Sequence, residues 1–468
     1  MLSAAPQRLT RPPWYPMPNN GVEQSGRQWA RKREGGERTR HRTLIVLTHA
    51  LVALAVAVPP LDASAADWSF DRVYVDLEYG GNGRPGWVQA GDIDGDGDFD
   101  IVAGGGNALF VYENNGTERD WIRHGSLDSS GSMGANGAVI ADVDADGDLD
   151  VISAKFYDDI GWWENPCGKI CELSTLPQWS FHKIGEVGRN GSAGPHYFLH
   201  DVARLPTSGK DRGVRIVAPA ISKSCGAVEM KWFEPGLDVH QEWIGHIIES
   251  GRSTGSDGDC NYAGVDVGDV NGDGRADVAF SNGWYEAPAE PRQAWPSSSW
   301  NPVTSYGQIS NTLLRDLNGD GRLDLVTASG HFDGRRDVRW YANPGKGSST
   351  WPMSVIATLR SPECLQVEDL DGDDDLDIVT CDLHWKRWDQ EVHNLYVVEN
   401  LGDTRSWRIS NIAPNSYPSH LLQLIDLNRD GRLDVISEAT GHSVVSYYER
   451  SGNAPGASPT PRPVGTGR

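Results

Sequence analysis

The chain has 468 residues and a formal charge of −23. A surface that acidic has no room for the basic stripe a phosphate backbone requires, which excludes a nucleic-acid partner. Beyond one run near the N-terminus, no apolar stretch is long enough to cross a bilayer, so the body of the chain is predicted to have no transmembrane segment and to be soluble.

In chain order, residues 1–42 are basic, residues 43–60 are apolar, and Ala63-Ser64-Ala65 follows. That order predicts a secretory signal peptide within a basic leader, 1–65, cleaved near Ala65. An uncleaved anchor is the alternative, although the run is barely long enough to span. The stretch before Arg31 exceeds what a signal needs, consistent with a start codon placed too far upstream. Loss of 1–65 removes nine Lys/Arg and four Asp/Glu, leaving about −28.

Next comes a strand opened by Trp68, and then an acidic nonapeptide, 92–100, running into Ile101-Val102. The nonapeptide recurs at 142–150, 269–277, 316–324, 369–377 and 426–434. Oxygen side chains fill positions 1, 3, 5 and 9, a spacing that wraps a short loop around a hard cation, with position 7 supplying its backbone carbonyl. The expected donors are Asp92, Asp94, Asp96 and Asp100 with Asp98 at position 7, then Asp142, Asp144, Asp146 and Asp150 with Asp148. They continue as Asp269, Asn271, Asp273 and Asp277 with Arg275, and Asp316, Asn318, Asp320 and Asp324 with Arg322. The last two sets are Asp369, Asp371, Asp373 and Asp377 with Asp375, and Asp426, Asn428, Asp430 and Asp434 with Arg432. Position 6 is Gly except at Asp374, a residue type enriched at positive φ. About six structural calcium ions are therefore expected, because six repeated copies argue against a catalytic role.

The interval from 142 to 269 is about twice the others and hides a degenerate copy, His200-Asp201 followed by 213–217. There Arg215 replaces the position-9 Asp, so this unit is expected to lack a metal, with Arg215 either paired to Asp201 or simply exposed. Two more signatures keep step. One is an aromatic or aliphatic pair before Glu or Ala, at 111–112, 162–163, 232–233, 284–285, 340–341, 397–398 and 447–448. The other is a lone Trp before a strand: Trp68, Trp121, Trp179, Trp243, Trp300, Trp351 and Trp407.

A unit of four strands with a period of about fifty-five residues predicts an all-β, seven-bladed β-propeller of four-stranded blades over 66–450. The first Trp strand precedes the first acidic loop and the last unit lacks one, so the N-terminal strand is predicted to close the last blade. The Pro-, Gly- and Ser-rich tail, 451–468, is expected to be disordered. EF-hands are excluded because position 12 is Ala103, Ser153, Phe280, Thr327, Thr380 or Ser437, never the bidentate Glu.

The acidic loops and aromatic-Glu-Asn turns resemble FG-GAP/VCBS-type repeats, a group that includes the calcium-bearing propellers of integrin α-chains and many secreted bacterial proteins. The resemblance covers roughly 66–450 and implies a calcium-stabilised propeller. It does not select a function, because such propellers serve adhesion, carbohydrate binding and catalysis.

The six cysteines, Cys167, Cys171, Cys225, Cys260, Cys364 and Cys381, favour disulfides in an exported chain, with a zinc site as the rival. In the repeat alignment Cys364 faces Cys381 across one hairpin, Cys225 and Cys260 lie in neighbouring loops, and Cys167 with Cys171 would close a small one.

Function is expected on the rim opposite the acidic loops. Trp385 and Trp388 in the long insertion 383–391, together with Trp87, Arg335 and Arg336, are the candidate ligand contacts; packing over the propeller face is the alternative. Trp162 and Trp295 are likewise surplus to the repeat. His196, His200, His331, His384 and His442, with Tyr157 and Lys155, are the candidate acid–base residues at equivalent loop ends. The leading expectation is a monomeric, secreted, periplasmic or cell-surface propeller binding a carbohydrate or extracellular protein. A polysaccharide lyase or sugar dehydratase, and an adhesion module, are the alternatives.

Overall fold

The computed structural model describes residues 68–451 except 78–85, 106–107, 118, 126–136, 155–159, 188–196, 200–202, 206–212, 223–226, 254–263, 306–308, 331–333, 347–349, 383–392, 417–420 and 440–443. The leader and the tail beyond Ser451 lie outside these residues. Each acidic loop joins two short strands into an antiparallel hairpin, and the aromatic and Trp strands add the third and fourth. Blade one is Trp87–Gly91, Asp100–Gly105, Ala108–Asn114 and Trp121–His124. The same order repeats to give seven blades. In blade three the first strand is broken into Tyr197–Leu199 and Ala203–Leu205, both paired with Arg215–Ser222. Among the described residues no helix is long and apolar enough to cross a membrane.

Closure occurs as the order of elements requires. Ser69–Asp76 pairs antiparallel with Val444–Ser451, from Ser69 opposite Ser451 to Val73 opposite Tyr447. Trp68 Nε1 donates to Glu399 Oε2 of blade six at 2.7 Å, and the Arg450 guanidinium lies over the Trp68 ring at 4.5 Å. This strand thus removes an edge that would otherwise template another strand. First strands of neighbouring blades approach one another around the axis. Asp266 of blade four accepts from Leu314 N and Arg315 Nη1 of blade five, and Gln423 Oε1 of blade seven accepts from Ala90 N of blade one.

The aromatic pairs follow from strand geometry. Successive side chains on a strand point to opposite faces, and a blade is covered by a neighbour on each face. Trp162 therefore packs toward blade three and Trp163 toward blade one. Trp232 and Phe233 divide likewise, as do Tyr447 and Tyr448. Among the described residues the core is seven clusters, one per blade interface. Trp162 and Trp295, surplus to the repeat in sequence, belong to these interfaces and are buried.

The Asn of the aromatic-Glu-Asn turn is a latch. Asn165 Nδ2 donates to Leu149 O of its own acidic loop and to Ile93 O of the preceding blade's loop, at 3.2 and 2.9 Å. Asn343 makes the same pair of bonds, to Leu323 O and Val270 O at 3.0 and 2.9 Å. Arg450 takes the role in blade seven, reaching Leu370 O of blade six. Removing a buried donor leaves its acceptors unsatisfied, so Asn343→Ala should cost about 1–3 kcal/mol. Urea unfolding checks this against the exposed Asn115→Ala, which should shift the midpoint little; equal shifts would remove the latch's role.

Candidate functional site

Each acidic loop is ordered by its own backbone. Position 1 accepts from the position-6 N–H in blades one, four, five, six and seven. Position 5 accepts from the position-7 N–H in all six loops. Position 6 takes positive φ throughout, including Asp374 at φ 71. Position 4 does so too, at the non-glycine Ala145 and Arg429 as well as at Gly. That second left-handed residue was not anticipated from sequence.

Position 9 has a role the spacing alone conceals. In every acidic loop one carboxylate oxygen accepts from the position-2 N–H and the other from an N–H at or just past the end of the third strand, at 2.7–3.2 Å. These aspartates are at most 1% exposed. Burial raises them well above the ordinary carboxylate range, to about 6 at Asp324, about 7 at Asp100, Asp277 and Asp434, and about 8 at Asp150 and Asp377.

The donor set suits a hard divalent cation. Carboxylate oxygens of Asp92, Asp94 and Asp96 lie within 4.8 Å of one another, as do those of Asp142, Asp144 and Asp146 and of Asp369, Asp371 and Asp377. Buried oxygens of Asp142, Asp148, Asp371 and Asp426 have no hydrogen-bond partner, an arrangement a cation would relieve. In blades four, five and seven Arg275, Arg322 and Arg432 occupy position 7. Each gives its Nε to a carbonyl at or just past the end of the third strand and its terminal nitrogen to the position-5 Asp.

Cys167 and Cys171 are bonded to each other, and so are Cys364 and Cys381, with Cα separations of 5.5 and 5.4 Å. The zinc reading of these four cysteines is thereby set aside. The small Cys167–Cys171 loop lies across the acidic loop of blade one, where Cys171 N donates to Asp94 O at 3.0 Å. Gly95 meets the Lys169 carbonyl there so closely that a Cβ would collide with it. Cys225 and Cys260 lie outside the described residues.

Blade three departs from the frame. Arg215 Nη2 sits 3.3 Å from Glu234 Oε2, with its guanidinium 5.9 Å from the Trp232 ring centre. Arg292 and His246 join it on Glu234, and the hydrogen bond from Arg292 leads the interactions holding that carboxyl below its usual value. The alternative partner, Asp201, lies outside the described residues.

Of the expected rim residues, His196, His200, His331, His384, His442, Tyr157, Lys155, Trp385 and Trp388 all lie outside the described residues. Trp87 is corrected: it is fully buried in the core between blades one and two and has no face for a ligand, because its strand is covered on both sides. Arg335 is exposed and donates to Thr358 O, with Arg336 half-buried beside it. At the same end of blade six, sequence reading missed a polar cluster. Asp382, buried, accepts from Asn394 and from the Tyr396 hydroxyl at 3.0 Å. Burial, then the Asp382 charge, pushes Tyr396 up to about 12.

The described concavities lie between blades. A cleft of about 350 Å³ separates blades four and five, lined by Trp284 and Trp351 together with Asn271, Asp273, Glu286, Asn301, Asn343 and Lys346. A cleft of about 250 Å³ occupies the equivalent place between blades one and two, lined by Val111, His124, Gln178 and Trp179 among others. Trp179 there corresponds to Trp351 in the repeat, and Val111 to Trp284.

The FG-GAP-like repeat family matches residues 92–153 and 316–380. None of the curated proteins compared with the chain matches it in sequence. Among solved structures, an Agrocybe aegerita lectin that recognises non-reducing terminal N-acetylglucosamine is similar at 14% identity and TM-score 0.38, over 82% of this chain and 86% of that one. BBS1N in complex with ARL6DN is similar at 10% identity and TM-score 0.48, over 83% and 99%. The Aleuria aurantia lectin with α-methyl-L-fucoside is similar at 14% and 0.37, over 73% and 99%.

Proposed function

We propose, for a seven-bladed propeller built of FG-GAP-like repeats, an exported protein whose acidic loops hold calcium and whose cleft between blades four and five binds a carbohydrate. That cleft carries this reading, and it lies beside the acidic loop of blade four, at Asn271 and Asp273, not on the opposite rim expected from sequence. Its volume of about 350 Å³ falls within the range of small-ligand sites. Aromatic rings together with amide, carboxylate and ammonium groups in one lining are what a sugar needs, because one sugar face is apolar and its rim is hydroxyl.

Calcium is favoured by a donor set of carboxylate, amide and carbonyl oxygens in a flexible loop. Export is supported by the order of basic, apolar and small residues at the N-terminus and by the two disulfides. The Asp382–Tyr396 cluster disfavours β-elimination at that end of blade six. The Tyr396 hydroxyl gives its proton to Asp382 and, at about 12, stays protonated at neutral pH, so it does not serve as the abstracting base.

A glycan array probed with the calcium-loaded protein should return a specific sugar. Glu286→Ala and Lys346→Ala should each weaken the best ligand by about 10-fold, the worth of one lost charged hydrogen bond, with an unchanged melting temperature. No bound glycan, or variants equal to wild type, would remove this reading.

A further inference from the structure

Three blades place a histidine of the fourth strand against the Glu of the aromatic turn. His124 meets Glu113 at 2.5 Å, His182 meets Glu164 at 2.6 Å, and His246 meets Glu234 at 3.1 Å. Blade three completes its Glu with guanidinium groups, Arg292 and Arg215. Blade two does something else: the loop before the fourth strand of blade three brings in a second imidazole. His240 Nε2 lies 4.0 Å from Glu164 Oε1 and 3.9 Å from Asp144 Oδ2. One ligand atom each from Glu164, His182 and His240 fall within 4.8 Å of one another.

We infer that Glu164, His182 and His240 form a binding site for a divalent transition metal of the zinc type, bridging blades two and three and adjoining the acidic loop of blade two at Asp144. Tetrahedral donors at about 2.1 Å from zinc stand about 3.4 Å apart; one carboxylate faces both imidazoles, through Oε2 to His182 at 2.6 Å and through Oε1 to His240 at 4.0 Å, and with the three donor atoms within 4.8 Å of one another small side-chain movements close the site. Two imidazoles and a carboxylate select zinc, cobalt or nickel over calcium, because nitrogen donors are poor partners for a hard cation.

The supporting contacts are those of a metal site. Asp238 Oδ1 lies 3.0 Å from His240 Nδ1, which keeps the proton on Nδ1 and turns a free Nε2 lone pair toward Glu164. The same Asp238 accepts from His240 N at 3.1 Å, setting the turn that carries the ring. Trp243 N donates to Ile184 O, pinning this loop to the fourth strand of blade two. Trp162 stacks on His182 with ring centres 4.7 Å apart and lies 5.6 Å from His240, so both imidazoles rest on a buried ring. Three protein ligands leave a fourth position, for water or for Asp144, whose Oδ2 lies 3.9 Å from His240 Nε2.

The test uses the full chain in saturating calcium, so that the acidic loops are blocked, and titrates zinc against a chromophoric chelator. One tight zinc equivalent is expected. His240→Ala and Glu164→Gln should each weaken it by about 100-fold or more, and Asp238→Asn by about 10-fold. His240 lies on a loop, so its variant should keep the wild-type fold and calcium response, read by circular dichroism and calcium-dependent melting. With cobalt as the probe, visible absorbance in wild type should vanish in His240→Ala. Absence of a tight zinc equivalent in wild type, or unchanged affinity in His240→Ala, would overturn the assignment.

Discussion

Removal of divalent cations should lower the melting temperature of this protein by on the order of 10 °C. A single site held at 100 times its dissociation constant adds about 2.7 kcal/mol, and each kcal/mol moves a domain of this size by about 2 °C. Several loops acting together reach the stated shift. The cause is local: three loops gather carboxylate oxygens within 4.8 Å, and four buried oxygens have no hydrogen-bond partner. Magnesium should restore little of the loss, because it demands octahedral geometry and sheds its water reluctantly. An unchanged melting point in the dialysed, metal-free protein would sink the calcium assignment.

The metal-free protein should also show an unusual pH dependence. The position-9 aspartates are raised to between about 6 and about 8 by burial, above the value of about 3.9 in an unfolded chain. The folded state then binds protons more tightly than the unfolded one. Their stabilisation is fully present below about pH 4 and is lost as pH rises through about 6–8. Melting temperatures of the metal-free protein should therefore fall from pH 5 to pH 8, and calcium should restore stability most at the higher pH.

Asp150→Ala should cost about 3–5 kcal/mol even without calcium, because it strands two buried backbone N–H groups, of Val143 and Asn165, at about 1–3 kcal/mol each. Asp377→Ala should behave alike through Leu370 and Asn400. Asp144→Asn, by contrast, should leave metal-free stability nearly unchanged and lose only the increment due to calcium. Denaturant midpoints measured with and without calcium separate these cases. If Asp150→Ala destabilised only the calcium-loaded protein, position 9 would be a metal ligand and not a backbone clasp.

That distinction shows where sequence reading stops. The spacing of oxygens in 142–150 points to a cation, but it cannot tell a ligand from a clasp, since one carboxylate serves both purposes. Trp87 and Trp162 were unreadable for a related reason. Their strands alternate between two faces that are both covered by neighbouring blades, so an exposed-face pattern never arises. The latch made by Asn165 and Asn343 crosses from one blade to the previous one, a contact no repeat unit contains within itself.

The local chemistry of the chain determined its architecture. Each unit is a set of hairpins closed by a short loop, and seven such units with one strand displaced to the start specify a closed ring. Tertiary structure decided what the interfaces hold. Trp284 and Trp351 come together at one cleft, and Glu164, His182 and His240 at one site, although the residues of each set lie in different blades. Sequence periodicity encodes what repeats within a blade. The clefts and the histidine pair arise between blades, where side chains distant along the chain meet because the ring closes.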